Sequence, residues 1–95
     1  MLEGKNINPK SPHKVLLISR ENLTVEGIRE IINFDENEVN LRTVCGDMTV
    51  EGEGIHVNVL NVTVGQIELI GKINGIYYFD RNDNEKRSLL SKIFK

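Results

Sequence analysis

The sequence predicts a small all-β protein, an antiparallel β-sandwich (Ig-like, or a partly open barrel) with meander connectivity and a short C-terminal amphipathic helix. Apolar and polar residues alternate with a period of two over most of residues 38–79, which is typical of half-buried strands. Turn signals recur roughly every 8–12 residues, and no segment between them could hold the crossover helix that parallel strands need. Glycines that recur through residues 46–75 also suit a short β-solenoid or β-roll, which stays the alternative because their spacing has no fixed period.

The N-terminal third of the chain predicts a flexible arm followed by strands. Residues 1–13 are mostly polar and have little to bury, so we expect a flexible arm there. The four-residue apolar run at residues 15–18 favours a strand over a helix. Residues 23–34 are rich in β-branched side chains and predict strand with a bulge at Gly27. A helix over the same residues stays open.

The β-domain assigned to residues 14–79 continues with alternating strands and intervening turns. The strands are predicted at residues 39–45, 48–51, 55–59, 67–73 and 76–79. The turns are predicted at Gly46-Asp47, Glu53-Gly54, residues 61–65 and Asn74-Gly75. Asn-Gly is the strongest of these signals, because a two-residue type I′ turn needs positive φ at both positions.

Charge separates the C-terminal tail from the rest of the chain. Residues 1–85 carry a net charge of −6 and residues 86–95 a net charge of +4. Residues 80–85 predict a polar linker, and residues 86–95 predict an amphipathic helix too short to be stable alone. We therefore expect the helix to dock on a protein partner, on a membrane or on its own domain. The residues expected to make that contact are Lys86, Arg87, Leu89, Leu90, Lys92, Ile93, Phe94 and Lys95.

Composition excludes several classes of protein. Ninety-five residues with 39% hydrophobic and 27% charged side chains make one domain with a thin core, for which we expect a homo-oligomer, most simply a dimer. No apolar run approaches the roughly 18 residues of a membrane span, and the polar start lacks a signal peptide, so we expect a cytoplasmic protein. A net charge of −2 and 5% aromatic residues argue against nucleic-acid binding.

Residues with catalytic or metal-binding chemistry are few. His13 and His56 have no metal-ligand residues at a suitable spacing, so both are interpreted as surface imidazoles. Cys45, the single cysteine, is expected to be a small core side chain. Only a pocket that brings it next to His56 would suggest a nucleophile. Residues 80–91 lack the glycine and the final acid of a calcium loop. We therefore predict no enzyme, no catalytic or metal site and no cofactor.

Residues 23–78 also carry an ordered set of apolar and glycine positions. The set runs Leu23-x-Val25-x-Gly27-Ile28-x-Glu30-Ile31-x-x-Phe34-Asp35, then Val39-x-Leu41-x-Thr43-x-x-Gly46-x-Met48-x-Val50-x-Gly52, then Ile55-x-Val57-x-x-Leu60-Asn61, then Gly65-x-Ile67-x-Leu69-x-Gly71-x-Ile73-x-x-Ile76-x-Tyr78. This order resembles the YabP/YqfC family of sporulation proteins, and its YabP branch in particular. Ile28, Met48 and Ile55 stand where the family pattern has Val, Leu and Leu, which are conservative core exchanges.

The resemblance implies a small non-enzymatic protein of spore-forming bacteria, made in the mother cell, with a compact β-sandwich fold and no catalytic residues. It also implies a sporulation membrane protein as partner, and a position at the membrane around the forespore. The function hypothesis is a structural or adaptor protein that self-associates and docks through residues 86–95. The alternative is a small β-module that binds a ligand or single-stranded nucleic acid, for which Tyr77, Tyr78 and Phe79 are the support.

Overall fold

The computed structural model describes residues 12–80, which fold as six antiparallel strands. The strands are β1 (Lys14–Ile18), β2 (Asn22–Glu26), β3 (Ile28–Phe34), β4 (Glu38–Thr43), β5 (Gly46–Asn61) and β6 (Gln66–Phe79). They form one sheet in the order β1-β2-β6-β5-β4-β3. The two edges of the sheet are therefore β1 and β3.

The sheet cannot be flat, because the consecutive strands β2 and β3 lie on either side of β6, β5 and β4. Strands four places apart in a flat sheet are separated by about 19 Å, whereas only Gly27 lies between the end of β2 and the start of β3. The sheet therefore curls until Ile28 N donates to Gly65 O at 3.0 Å. Gly27 forms the corner with a φ of 83°, as in strands that bend from one layer into the next.

Glycines also bend the two long strands, β5 and β6. Gly54 and Gly71 have positive φ, and the register between the two strands shifts beside them. A Cβ on Gly52 would lie 2.1 Å from the carbonyl oxygen of Lys72, so the strands approach each other at a point that only glycine permits. These bends let one continuous sheet enclose a core.

Among residues 12–80, eleven buried apolar side chains form that core. They come from β2 to β6 and are Leu23, Val25, Ile28, Val39, Leu41, Met48, Val50, Ile55, Ile67, Leu69 and Ile73. The burial of each contributes about 1.5–3 kcal/mol relative to exposure. From β1 only Val15 packs against this cluster, and it is partly buried. The core is therefore built almost without β1.

The predicted all-β, antiparallel fold is confirmed, and its finer description changes. Antiparallel pairing throughout shows that the β-solenoid alternative is wrong, since solenoid rungs pair in parallel. A helix over residues 23–34 is also wrong, because β2 and β3 occupy them. The strands form one curled sheet, where an Ig-like sandwich has two sheets. Strands β3 to β6 form a meander, and β2 joins it by pairing with β6.

Two predicted turns lie in the middle of strands, and the turn predicted at Gly46-Asp47 forms at residues 44–45 instead, because β5 begins at Gly46. The hairpin expected at Asn74-Gly75 is wrong, because β6 runs through both residues and Asn74 is the extra residue of a bulge. The turn expected at Glu53-Gly54 is wrong as well, because β5 continues to Asn61. Gly54 has a positive φ, whereas Gly75 has none and leaves room for the Tyr77 ring. The same residue type therefore serves different purposes, and the sequence signal does not separate a bulge from a turn. The turn within residues 61–65 is confirmed.

Parts of the predicted organisation lie outside the described residues. These are residues 1–11 of the arm, residues 81–85 of the linker and the whole of the helix predicted at residues 86–95. The strands begin at Lys14 and end at Phe79.

Candidate functional site

β1 is an edge strand made almost entirely of exposed apolar side chains. Leu16, Leu17 and Ile18 are 46%, 38% and 52% exposed, and Lys14 is the one charged residue of the strand. Isolated exposed apolar residues are ordinary, whereas a contiguous run of them on a sheet edge marks a surface for interaction. β1 is therefore the first candidate site.

The side chains of β1 alternate between the core face and the outer face of the sheet. Val15 and Leu17 lie opposite buried residues of β2, so they are on the core face. Leu16 and Ile18 lie on the outer face, because side chains alternate along a strand. Leu17 stays exposed on the core face because, among the strands of residues 12–80, none lies beyond β1. Within these residues, the outward backbone groups of β1 are open to a further strand.

The opposite edge, β3, is protected in ways that β1 is not. Its register with β4 shifts twice, which leaves Arg29 and Ile32 as extra residues. Such bulges interrupt the row of backbone groups with which another strand would pair. β3 also carries two adjacent charged residues, Arg29 and Glu30. β1 pairs with β2 over all five of its residues without a shift, so β1 is the regular edge.

A single arginine holds the turn that joins β1 to β2. Ser19 and Arg20 have φ of 54° and 58°, which costs about 1–2 kcal/mol for a residue with a side chain. Arg20 Nε donates to Ile73 O at 3.0 Å, and its Nη2 donates to Asn74 Oδ1 at 2.8 Å. The carbonyl of Arg20 accepts from Ile73 N at 2.9 Å. These bonds fix the β1–β2 hairpin to the bulge of β6 and offset the strain.

An open cleft of about 470 Å³ lies beside this turn, lined by Ser19, Arg20, Glu21, Ile70, Gly71 and Lys72. Its charged groups are two cations and one carboxylate, so no one sign of charge dominates. The guanidinium of Arg20 is bonded to β6 and to Asn74. We assign this cleft no ligand.

His13 ties the start of the described chain to two strands. Its Nδ1 lies 3.0 Å from Glu26 O and its Nε2 lies 2.7 Å from Tyr78 Oη. A carbonyl oxygen can only accept, so Nδ1 carries the proton and donates, and Nε2 of the neutral ring accepts from the tyrosine hydroxyl. The two rings meet edge to face with centroids 5.5 Å apart. His13 is therefore half-buried and bonded through both ring nitrogens, where the sequence indicated an exposed surface imidazole.

Cys45 is exposed, so the prediction that it belongs to the core is wrong. It lies in the β4–β5 turn, where the hydroxyl of Thr43 accepts from its backbone N–H at 3.0 Å. Its titratable neighbour is Tyr78. The pKa of the Tyr78 phenol is raised above 10.0, mainly by partial burial and secondly by the negative charge of the Cys45 thiolate. His56 is exposed and pairs with Ile70 in the middle of β5. The structure shows no pairing of Cys45 with His56 within the described residues.

Tyr77 and Tyr78 point to opposite faces of β6, because they are consecutive strand residues. The Tyr77 hydroxyl would lie 2.6 Å from a Cβ on Gly75, so that ring packs back along its own strand. The Tyr78 hydroxyl is bonded to His13. The two rings form no shared stacking surface of the kind that single-stranded nucleic acid needs.

A charged cluster joins the β3, β4 and β5 strands. Arg42 lies opposite both Glu30 and Asp47 in the strand register. It forms an ion pair with Glu30, and its Nε lies 3.7 Å from Asp47 Oδ1. Asp47 is 2% exposed. Cross-strand pairing accounts for this arrangement, and we interpret the cluster as part of the fold.

Residues 12–80 contain neither a metal-binding cluster nor a membrane-spanning helix. No group of three or more His, Cys, Asp or Glu side chains in that range could hold a metal ion. Of the acids after β3, Asp35 uses Oδ1 to accept from Asn37 N at 2.7 Å and from Glu38 N at 2.9 Å, which shapes the turn. In the same range no helix has the length and hydropathy needed to cross a bilayer.

The predicted docking residues lie outside the described part of the chain. These are Lys86, Arg87, Leu89, Leu90, Lys92, Ile93, Phe94 and Lys95. Sequence reasoning also missed two features of the described part, the exposed edge of β1 and the hydrogen bonds of His13. The run of apolar residues at 15–18 predicts a strand but not its place in the sheet. No local pattern indicates that His13 contacts Tyr78, 65 positions away.

Comparisons with known proteins agree with the resemblance seen in the sequence. The sequence model of the YabP family matches residues 9–85. The spore protein YabP of Bacillus subtilis (strain 168) is 30% identical over 84 residues, which cover 87% of this chain and 84% of the relative. The matched region includes all six strands.

Proposed function

This chain belongs to the YabP family, and from that membership we propose that it serves sporulation as a non-catalytic structural or adaptor protein. The observation that carries the proposal is the family match, which spans residues 9–85 and so includes the complete curled sheet. The Bacillus subtilis relative bears the name of a spore protein. We assign the present chain to the mother-cell cytoplasm of a sporulating cell.

Several polar side chains form hydrogen bonds or ion pairs within the fold, and this supports a structural role. Both ring nitrogens of His13 are hydrogen-bonded within the domain. The guanidinium of Arg20 holds the β1–β2 turn, and Arg42 and Glu30 pair across neighbouring strands. A general acid or base must be free to reach the group with which it exchanges a proton. These side chains instead hold strands together.

The β-domain is proposed to self-associate. The core draws on β2 to β6, while β1 leaves an apolar edge exposed. A small domain with a thin core gains stability when such a surface is covered by another chain. The exposed edge supports a homo-oligomer, with a dimer as its simplest form.

The basic tail, residues 86–95, is proposed to dock on a membrane or on a membrane protein. Residues 86–95 carry a net charge of +4 against −6 for the rest of the chain. Near an anionic bilayer each basic residue contributes about 1 kcal/mol, so the tail would contribute about 4 kcal/mol before any apolar side chain inserts. A sporulation membrane protein with an acidic surface would attract the same tail. Either contact would place the protein at the membrane around the forespore.

Localisation in sporulating cells tests this proposal. A fluorescently tagged full-length chain, expressed in the organism that encodes it, should appear in the mother cell and concentrate around the forespore. A version that ends at residue 85 should fold and remain in the mother cell but spread through its cytoplasm. Tagged protein confined to the forespore would contradict the proposed compartment, and unchanged localisation of the truncated protein would contradict docking through the tail.

A further inference from the structure

We propose that β1 is the dimerisation edge of this protein, and that it pairs antiparallel with β1 of a second copy across a two-fold axis at Leu16. The two curled sheets would then join into one continuous sheet. This inference rests on the self-association in the proposed function and names the surface that performs it.

The contrast between the two edges selects β1. Bulges at Arg29 and Ile32 interrupt β3, whereas β1 is regular over five residues. Edge strands of soluble proteins are normally protected by charges, prolines or bulges. β1 has one charged residue, Lys14, at its first position, and four apolar residues after it. An edge that is regular and apolar is suited to pairing with another strand.

Strand geometry restricts the register of such a pair. Residues directly opposite each other in an antiparallel ladder either both direct their backbone groups at the partner strand or both direct them away. A symmetric pair of β1 strands must therefore have one residue opposite its own copy. An axis at Leu16 pairs all five residues of β1, whereas an axis at any other residue leaves some of them unpaired.

In this register, apolar side chains of the two strands would face each other. Leu16 lies opposite Leu16 of the second copy, and Val15 lies opposite Leu17 of the second copy. Because Val15 and Leu17 are on the core face, this pairing would extend each core across the axis and cover the exposed part of Leu17. Lys14 would lie opposite Ile18, so the two lysines would not face each other directly. Like charges in direct opposition would destabilise the pair.

Charge favours a second copy over the chain's own tail as the occupant. β1 itself offers one cation and no carboxylate, so no charged group of this strand attracts the basic residues 86–95. A second β1 brings one cation at the far end of the strand and a matching apolar run. The self-complementary strand is therefore the better partner for this edge.

Sedimentation equilibrium of the full-length chain, with a reductant present to keep Cys45 free, tests the inference. The wild-type chain should form dimers in a concentration-dependent way. Leu16→Lys removes the contact between the two Leu16 side chains and places two cations in direct opposition, so it should raise the dimer dissociation constant by about tenfold. Val62→Lys is the matched control, because Val62 is similarly exposed, at 43%, in the turn after β5. That control should dimerise like the wild type.

A mixture of two variants tests the register. Leu16→Lys and Leu16→Glu should each dimerise poorly alone and should form a mixed dimer, because position 16 faces its own copy. Hydrogen exchange of the wild-type chain gives a second readout that needs no substitution: protection of β1 amides should rise with protein concentration. Rising protection supports the inference even where a variant fails to fold.

Three results would overturn the inference. They are a wild-type chain that stays monomeric at concentrations on the order of 1 mM, a Leu16→Lys variant that dimerises normally, and β1 amides whose protection does not depend on concentration. A monomer whose β1 is protected by another segment or another protein counts among the contrary results. These measurements use purified protein, so their failure leaves the localisation result standing, and a failed localisation leaves the dimer standing.

Discussion

Nε2 of His13 lies 2.7 Å from the hydroxyl of Tyr78, and this contact joins the start of β1 to the end of β6. His13 also donates to Glu26 O at the end of β2. Its Cα lies 2.7 Å from where a Cβ on Gly27 would be. One imidazole therefore secures the corner at which the sheet turns from β2 into β3.

Loss of this contact should destabilise the domain. Tyr78→Phe removes one partly exposed hydrogen bond, and we expect it to lower the free energy of unfolding by about 0.5–1.5 kcal/mol. Urea denaturation measures the change. Tyr77→Phe is the matched control, because Tyr77 is similarly exposed and precedes Tyr78 in the same strand. Equal effects of the two substitutions would contradict a specific role for the bond.

Stability should also fall at alkaline pH because of Tyr78. Partial burial, and then the Cys45 thiolate, raise the pKa of its phenol above 10.0, so the unfolded chain loses this proton at a lower pH than the folded chain. The contribution is fully present below pH 10.0 and is lost as the pH rises through the folded pKa. Urea midpoints of the wild type and of Tyr78→Phe, measured between about pH 8 and about pH 11, should converge as the pH rises. Parallel curves for the two proteins would contradict it.

The bend in β5 and β6 should depend on Gly52. Gly52→Ala would bring a Cβ to 2.1 Å from the carbonyl oxygen of Lys72, and we expect a loss of about 3 kcal/mol or more, as for other overpacked sites. Gly54→Ala is the matched control, with a positive φ but no atom within 4 Å of the added Cβ. Strain alone predicts a loss of about 1–2 kcal/mol there. Thermal unfolding that ranks Gly54→Ala as the more harmful change would refute this account of the bend.

The β1–β2 turn should respond to substitution in both directions. Ser19→Gly relieves a positive φ of 54°, which costs about 1–2 kcal/mol, and adds an entropy cost of about 0.5–1 kcal/mol. It should therefore stabilise the protein by about 0.5–1 kcal/mol net. Arg20→Ala keeps the strain and removes the two side-chain bonds to Ile73 and Asn74, so a loss of about 1–3 kcal/mol is expected. Arg20→Gly should fall between Arg20→Ala and the wild type. An Arg20→Ala variant as stable as the wild type would show that these bonds contribute nothing.

The sequence predicts strand content better than strand position. Alternation locates most core residues, among them Val39, Leu41, Ile67 and Leu69, because a period of two reflects burial of one face. It does not place β1 at an edge, because after Lys14 this strand lacks the charges, prolines and bulges that usually mark edge strands. β1 is the example, with an apolar run like that of a buried strand and an exposed place in the sheet.

Predicting turns from glycine-containing pairs is limited in a similar way. The Asn74-Gly75 pair indicates a departure from regular strand, and β6 has one there in the form of a bulge. Choosing between a bulge and a hairpin requires knowledge of the partner strands, which local sequence does not contain. The contact of His13 with Tyr78 depends in the same way on the completed fold. Within the candidate site, sequence therefore predicts the strand of β1 but not its exposure.

The central claim, a role in sporulation, is tested most directly by one measurement. It is the number of heat-resistant spores formed by a strain that lacks this gene. A role in sporulation predicts fewer resistant spores than in the parent strain, unchanged vegetative growth, and recovery when the full-length gene is restored. A deletion strain that forms resistant spores as abundantly as its parent would contradict the claim.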